Sequence, residues 1–161
     1  MIKKAISLFS NFKLRVHSYF QLKKTCQHGK NNVFGDIVIV NPLNVQIGDS
    51  CSFNHGVYIN ATNPVIIGND VTLSAGVKII STGIDYVSWA NGKKQHNKNN
   101  GIVIGDHVWI GANAQILEGV RITGKYVVIA AGSVVNKDIV DDYSVFGGIP
   151  SKKIKSFNDN I

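Results

Sequence analysis

The sequence predicts an all-β fold, a parallel β-helix in which short strands wind as a three-sided coil. Three observations carry this. A short phrase recurs: Val45-Gln46-Ile47-Gly48-Asp49 returns as Val65-Ile66-Ile67-Gly68-Asn69 and again as Ile102-Val103-Ile104-Gly105-Asp106. Behind each phrase an apolar residue recurs every six positions, as Ile47, Phe53, Ile59, then Ile67, Leu73, Ile79, then Ile104, Ile110, Ile116. A further series, Ile122, Ile129, Val135, keeps the frame with one inserted residue. Six is neither the period of an amphipathic helix nor that of one long strand. It fits strands that turn a corner every six residues and send one aliphatic side chain inward per side. Three sides close a coil, and coils stack as a solenoid. The third observation is that Gly56, Gly76 and Asn113 share one position in the frame, as residues that bend a chain do. A β-sandwich has no reason to hold such a frame through four series. Handedness does not follow from spacing, because ordinary parallel crossovers are right-handed.

The elements follow in chain order. Residues 1–30 form a basic arm, with Lys3, Lys4, Lys13, Arg15, Lys23, Lys24 and Lys30 and no acid. Within it, residues 2–24 read as helix, because Ile2, Ala5, Ile6, Phe9, Phe12, Val16 and Phe20 make one apolar stripe. That stripe either caps the open first coil, the simpler reading, or lies on an anionic membrane surface. Residues 31–156 are the coil domain, and 157–161 a short tail. Between Ile79 and Ile104 the frame lapses for longer than a corner needs, so a polar loop over 82–101 must leave the coil. Long loops on rigid scaffolds are where function collects.

Composition removes several classes. A 44% hydrophobic share and 16 Gly in 161 residues exclude disorder and collagen. The net charge of +7 comes from the arm, and the body from residue 31 on is balanced. A nucleic-acid binder would want a basic face on the folded body as well. Cys26 and Cys51 make no disulfide framework and no CxxC, so a reducing compartment is expected. No stretch approaches the about 18 apolar residues of a membrane span, and the start lacks a secretion signal's uninterrupted core. The expected location is the cytoplasm, with the inner face of the membrane within the arm's reach.

The run Ile104-Gly-Asp-His-Val-Trp-Ile-Gly-Ala-Asn-Ala-Gln-Ile-Leu-Glu-Gly-Val120 resembles the signature of the hexapeptide-repeat acyltransferases. So do Ile129-Ala-Ala-Gly-Ser-Val-Val-Asn-Lys-Asp-Ile139 and the tail Gly147-Gly-Ile-Pro-Ser-Lys-Lys-Ile-Lys155, where Ser151 replaces the usual Ala. By pattern the chain is similar to maltose, galactoside and serine O-acetyltransferases and to those of capsule and O-antigen synthesis. The resemblance covers roughly residues 33–156. It implies a left-handed parallel β-helix, a homotrimer, and acetyl-CoA as co-substrate held between neighbouring subunits, with no metal.

Moving an acetyl group from a thioester to a hydroxyl needs a base, oxyanion stabilisation and positioning. Histidine suits the base because its free pKa lies near neutral. His17 and His28 fall in the arm, His55 in a coil repeat, and His107 after Ile-Gly-Asp where relatives often carry Asn. His96 stands in the loop, in a Gly92-Lys-Lys-Gln-His96 context similar to that around the serine acetyltransferases' base. It is the expected base, against the plainer reading of an exposed loop His. The Thr-His-Pro-Leu-Asp stretch of maltose-type enzymes reads Ser81-Thr82-Gly83-Ile84-Asp85 here, which loses the His and keeps Asp85. Asp85 either orients the imidazolium or is a loop-turn Asp. Tyr86 and Trp89 are candidate walls for a sugar ring, with core packing or trimer contact as equal alternatives.

For the donor, the resemblance assigns Asn113 and Ala131 to the pantetheine arm and Lys137, Lys152 and Lys155 to the phosphates, which Lys suits as a compact charge. Solubility is the alternative for each Lys. Trp109 is either cleft lining or corner packing. The implied activity is acetyl transfer to a sugar or polysaccharide-precursor hydroxyl without a covalent enzyme intermediate. Serine acetylation is weaker, since that family's large helical N-terminal domain is missing. A zinc carbonic anhydrase on the same coil would need three converging His, and His55, His96 and His107 lack the close paired spacing. A non-catalytic scaffold is the remaining alternative.

Overall fold

The computed structural model describes residues 27–97 and 100–157. The helix expected over 2–24 and the last residues of the tail lie outside the described residues. The strands follow one another as short sides of a coil. The first turn holds β1 (Gln27–His28), β2 (Val33–Phe34) and β3 (Val38–Val40), and the second β4 (Val45–Ile47), β5 (Ser52–Phe53) and β6 (Tyr58–Asn60). The third holds β7 (Val65–Ile67), β8 (Thr72–Leu73) and β9 (Lys78–Ile80), and the fourth β10 (Ile102–Ile104), β11 (Val108–Ile110) and β12 (Gln115–Ile116). The fifth holds β13 (Arg121–Ile122), β14 (Val127–Ile129) and β15 (Val134–Val135), before β16 (Ser144–Gly147) and β17 (Lys152–Ser156).

Each strand pairs with its equivalent one turn away, which makes three parallel sheets. Side one is β1-β4-β7-β10-β13, side two β2-β5-β8-β11-β14-β16, and side three β3-β6-β9-β12-β15. Only β17 breaks the rule, lying antiparallel on β16 at the open edge of side two. The predicted parallel β-helix is therefore the observed fold.

The six-residue frame is visible as three inward ladders. Ile47, Ile67, Ile104 and Ile122 stack on side one. Phe53, Leu73, Ile110, Ile129 and Phe146 stack on side two. Ile39, Ile59, Ile79, Ile116 and Val135 stack on side three. All are buried, and burying each such side chain contributes roughly 1.5–3 kcal/mol. The recurring Gly-Asp/Asn has its own cause. Asp106 Oδ1 accepts the Asn69 N–H at 2.7 Å and Asn69 Oδ1 the Asp49 N–H at 2.8 Å, so each corner side chain satisfies the donor of the coil below. Cys51 belongs to this interior, where burial pushes its thiol pKa up and leaves it a structural residue.

The frame's lapse is a hairpin. Asp85 N–H donates to Gln95 O at 2.9 Å and Asn97 N–H to Gly83 O at 3.0 Å, with Ile84 bridged to His96. Its tip adds an element that spacing did not reveal, the short helix α1 (Tyr86–Ala90).

Candidate functional site

The loop leaves at the corner between sides three and one, and its root is bound to the coils on either side. Asn63, one turn below, donates from Nδ2 to Ser81 O at 2.7 Å and to Asn97 O at 3.1 Å. Glu118, one turn above, accepts from Asn97 Nδ2 at 2.7 Å. His96 is exposed beside this root, and its Nδ1 faces Gly83 O at 3.3 Å. A carbonyl oxygen only accepts, so Nδ1 carries the proton in that contact, and in the neutral ring Nε2 keeps its lone pair for an incoming proton.

Asp85 is engaged elsewhere. It is the N-cap of α1: Oδ1 accepts from Val87 N and Ser88 N, both at 3.0 Å, and Oδ2 from Ser88 Oγ at 2.7 Å. The bond from the Ser88 backbone, then that from its hydroxyl, holds the carboxyl below the usual carboxylate range. No hydrogen bond joins it to His96 among the described residues, so this geometry matches the turn reading of Asp85. Tyr86 and Trp89 are exposed on α1, at 76% and 63%, which sets core packing aside for both.

Of the expected donor residues, Asn113, Ala131, Trp109 and Lys152 gather at another corner, between sides two and three, and on its neighbouring face. At this corner Gly56, Gly76, Asn113, Gly132 and Gly148 repeat a left-handed backbone, with φ from 57° to 99°. Three successive coils turn through Gly76, Asn113 and Gly132; the Asn113 side-chain amide lies over Gly76, and at Gly132 the space a side chain would fill is open. Ala131 is exposed at the same corner. Trp109 stands outward on β11, 56% exposed, with Nε1 donating to Ser74 Oγ at 2.9 Å. At the upper end, Ser151 N–H donates to Val134 O at 2.8 Å, which starts β17 directly beyond the column. On β17, Lys153 is paired with Asp141 at 2.6 Å. Lys152 and Lys155 are exposed and make no ion pair among the described residues. Lys137 follows β15 at the loop's corner, away from the other two lysines.

The chain thus brings Asn113, Ala131, Trp109 and Lys152 to one corner and its neighbouring face, and His96, Asp85, Tyr86 and Trp89 to a loop rooted at a different one. No hydrogen bond or ion pair connects the two groups among the described residues. Sequence reasoning passed over Asn63, Asn97 and Glu118, whose contacts span 18 to 34 residues. It also passed over an aromatic stack on the third corner. His107 lies on Tyr126 with centroids 4.6 Å apart, Tyr126 on Tyr143 at 4.9 Å, and His107 Nδ1 donates to Asp70 Oδ2 at 2.8 Å. The signal was present, since all four residues share the left-handed corner position of the frame. Among the described residues no three His, Cys, Asp or Glu converge as a metal set.

A family model described as bacterial transferase hexapeptide (six repeats) matches residues 101–137, the span from β10 to β15. The chain is 32% identical over 163 residues to a Saccharomyces cerevisiae protein with a provisional acetyltransferase name, YJL218W, covering 91% of this chain and 81% of that one. It is 35% identical over 119 residues to the galactoside O-acetyltransferase of Lactococcus lactis, covering 70% of this chain and 56% of that one. It therefore spans little more than half the length of that enzyme. The crystal structure of the hexapeptide-repeat acetyltransferase VCA0836 from Vibrio cholerae, complexed with acetyl coenzyme A, aligns with a TM-score of 0.77. That match has 29% identity and covers 88% of this chain and 76% of the other. The coil agrees with the left-handed β-helix of these acetyltransferases.

Proposed function

Because this chain belongs to the hexapeptide-repeat acetyltransferase family, we propose that it transfers an acetyl group from acetyl-CoA to a hydroxyl of a sugar or polysaccharide precursor. The observation that carries this reading is the corner of Gly76, Asn113 and Gly132, open at Gly132, flanked by Trp109 and continued by Lys152 and Lys155, which make no ion pair among the described residues. A narrow, flexible pantetheine arm fits along this corner, and the coenzyme's phosphates meet the ammonium groups of Lys152 and Lys155. Lys137, at the other corner, meets phosphate only from a neighbouring chain. The galactoside enzyme among the relatives supports a sugar acceptor, and Tyr86 and Trp89 supply exposed aromatic faces for it.

His96 Nε2 takes the proton of the acceptor hydroxyl as its oxygen attacks the thioester carbonyl. The imidazolium returns that proton to the departing thiolate, so no enzyme acyl group forms. In this reading the enzyme is a homotrimer, and the loop of one chain and the donor corner of its neighbour make one site. In this reading the enzyme works in the cytoplasm, with the inner face of the membrane, where lipid-linked glycans carry anionic phosphate, within reach of its basic arm.

Calorimetric titration with acetyl-CoA in moderate salt tests the donor assignment. Saturable binding near one site per chain is expected, with the pair Lys152→Glu and Lys155→Glu raising Kd by about tenfold or more, the loss of roughly 1.4 kcal/mol. Absence of binding by the folded protein removes the donor assignment.

A further inference from the structure

Glu118 belongs neither to the inward ladders nor to the donor corner, yet the loop root closes on it. It lies in Leu117-Glu118-Gly119-Val120, at the same corner as the loop and one turn further on. Its Oε1 accepts from Asn97 Nδ2 at 2.7 Å. The Asn97 backbone N–H donates to Gly83 O at 3.0 Å, and that same carbonyl faces His96 Nδ1 at 3.3 Å. Gly83 is pressed against the carboxylate, so that a side chain there would run into Glu118 Oε1. The outgoing leg is tied to the same corner, where Gly119 N–H donates to Asn100 O at 3.0 Å. Both legs of the hairpin therefore take their position from this corner, and the residue beside the imidazole is the one Glu118 holds. Among the described residues, buried Glu118 Oε2 has no hydrogen-bond partner. A carboxylate oxygen in that state costs free energy, so its place at the root has to be accounted for by what the other oxygen does.

We propose that Glu118 is a positioning residue for His96. By fixing Asn97 and Gly83 it keeps the Gly83 carbonyl on Nδ1, and this contact selects the ring form with Nε2 unprotonated. The proposal rests on the reading of His96 as the base. It needs no contact between Glu118 and substrate. The exposed imidazole has no other hydrogen-bond partner among the described residues, so its tautomer depends on this contact alone.

The test is nitrogen NMR of the full-length protein labelled with ¹⁵N-histidine, with the His96 ring signals assigned by their loss in His96→Ala. At a pH where the ring is neutral, the wild type is expected to show Nδ1 protonated and Nε2 bare. In Glu118→Ala the order of the two nitrogen shifts reverses, toward the Nε2–H form that free imidazole side chains prefer. Glu118→Gln keeps an acceptor for Asn97 and retains the wild-type pattern. Asn97→Ala removes the contact from the loop side and serves if Glu118→Ala does not fold. An unchanged His96 tautomer in a folded Glu118→Ala or Asn97→Ala protein overturns the proposal. Full transfer activity in His96→Ala overturns the base reading instead, and the two failures are read in separate experiments.

Discussion

Replacing His96 with Ala lowers the turnover of acetyl transfer by about 10²–10⁴-fold and leaves the Kd for acetyl-CoA unchanged. The split follows from the architecture. The imidazole is carried by the hairpin between sides three and one, whereas Asn113, Gly132, Trp109, Lys152 and Lys155 lie at and beyond the corner between sides two and three. A change confined to the first corner removes the base and spares the donor. Steady-state kinetics on CoA release, set beside calorimetry on the same preparation, reads both quantities. His107→Ala and His55→Ala are the controls. His107 is occupied by Asp70 and by its stack on Tyr126, and His55 is exposed 3.9 Å from Asp36. Neither sits on the loop, and both substitutions leave turnover within a few-fold of the wild type. A comparable loss in His107→Ala with full activity in His96→Ala reassigns the base.

Ile116→Ala is expected to cost about 2–5 kcal/mol of unfolding free energy. Ile116 is fully buried and sits between Ile79 and Val135 on the inward ladder of side three. A coil side of two or three residues has little freedom to collapse onto a missing side chain, because its backbone is hydrogen-bonded to a coil above and a coil below. The cavity therefore persists and adds to the lost transfer energy. The effect also bears on the site, because the corner that follows Ile116 carries Glu118 and Gly119, which bind the loop root. Denaturant unfolding followed by far-UV circular dichroism gives the change in midpoint. A shift equivalent to under about 1 kcal/mol would mean that the ladder repacks around the gap, against its expected rigidity.

The coil was legible because each of its rules acts through nearby residues in a fixed frame. An inward Ile at every sixth place and a Gly or Asn at a corner need no knowledge of the rest of the molecule. The hairpin was legible only as a lapse in that frame. Its helix was not, because Asp85-Tyr86-Val87-Ser88 reads equally as a turn, and the cap that decides between them is a set of bonds to Val87 and Ser88. His96 stood out by residue type and place, but what holds its ring did not. Glu118 reaches the loop across 21 residues of sequence, and nothing in Leu117-Glu118-Gly119 separates it from a solvated corner acid. The lysines show the same limit. Lys152, Lys153 and Lys155 look alike in sequence, and only the pairing of Lys153 with Asp141 divides them.

The most direct measurement of the account is subunit complementation. His96→Ala lacks the base and keeps the donor corner, whereas Ala131→Trp keeps the loop and obstructs that corner. Each variant alone is expected to be inactive or nearly so. Co-expressed and purified as assemblies containing both chains, they are expected to regain a clear fraction of wild-type acetyl transfer, because an intact loop on one chain meets an intact corner on its neighbour. Mixed assemblies as inactive as either parent, or a wild-type chain that is active as a single copy, would contradict a site shared between chains.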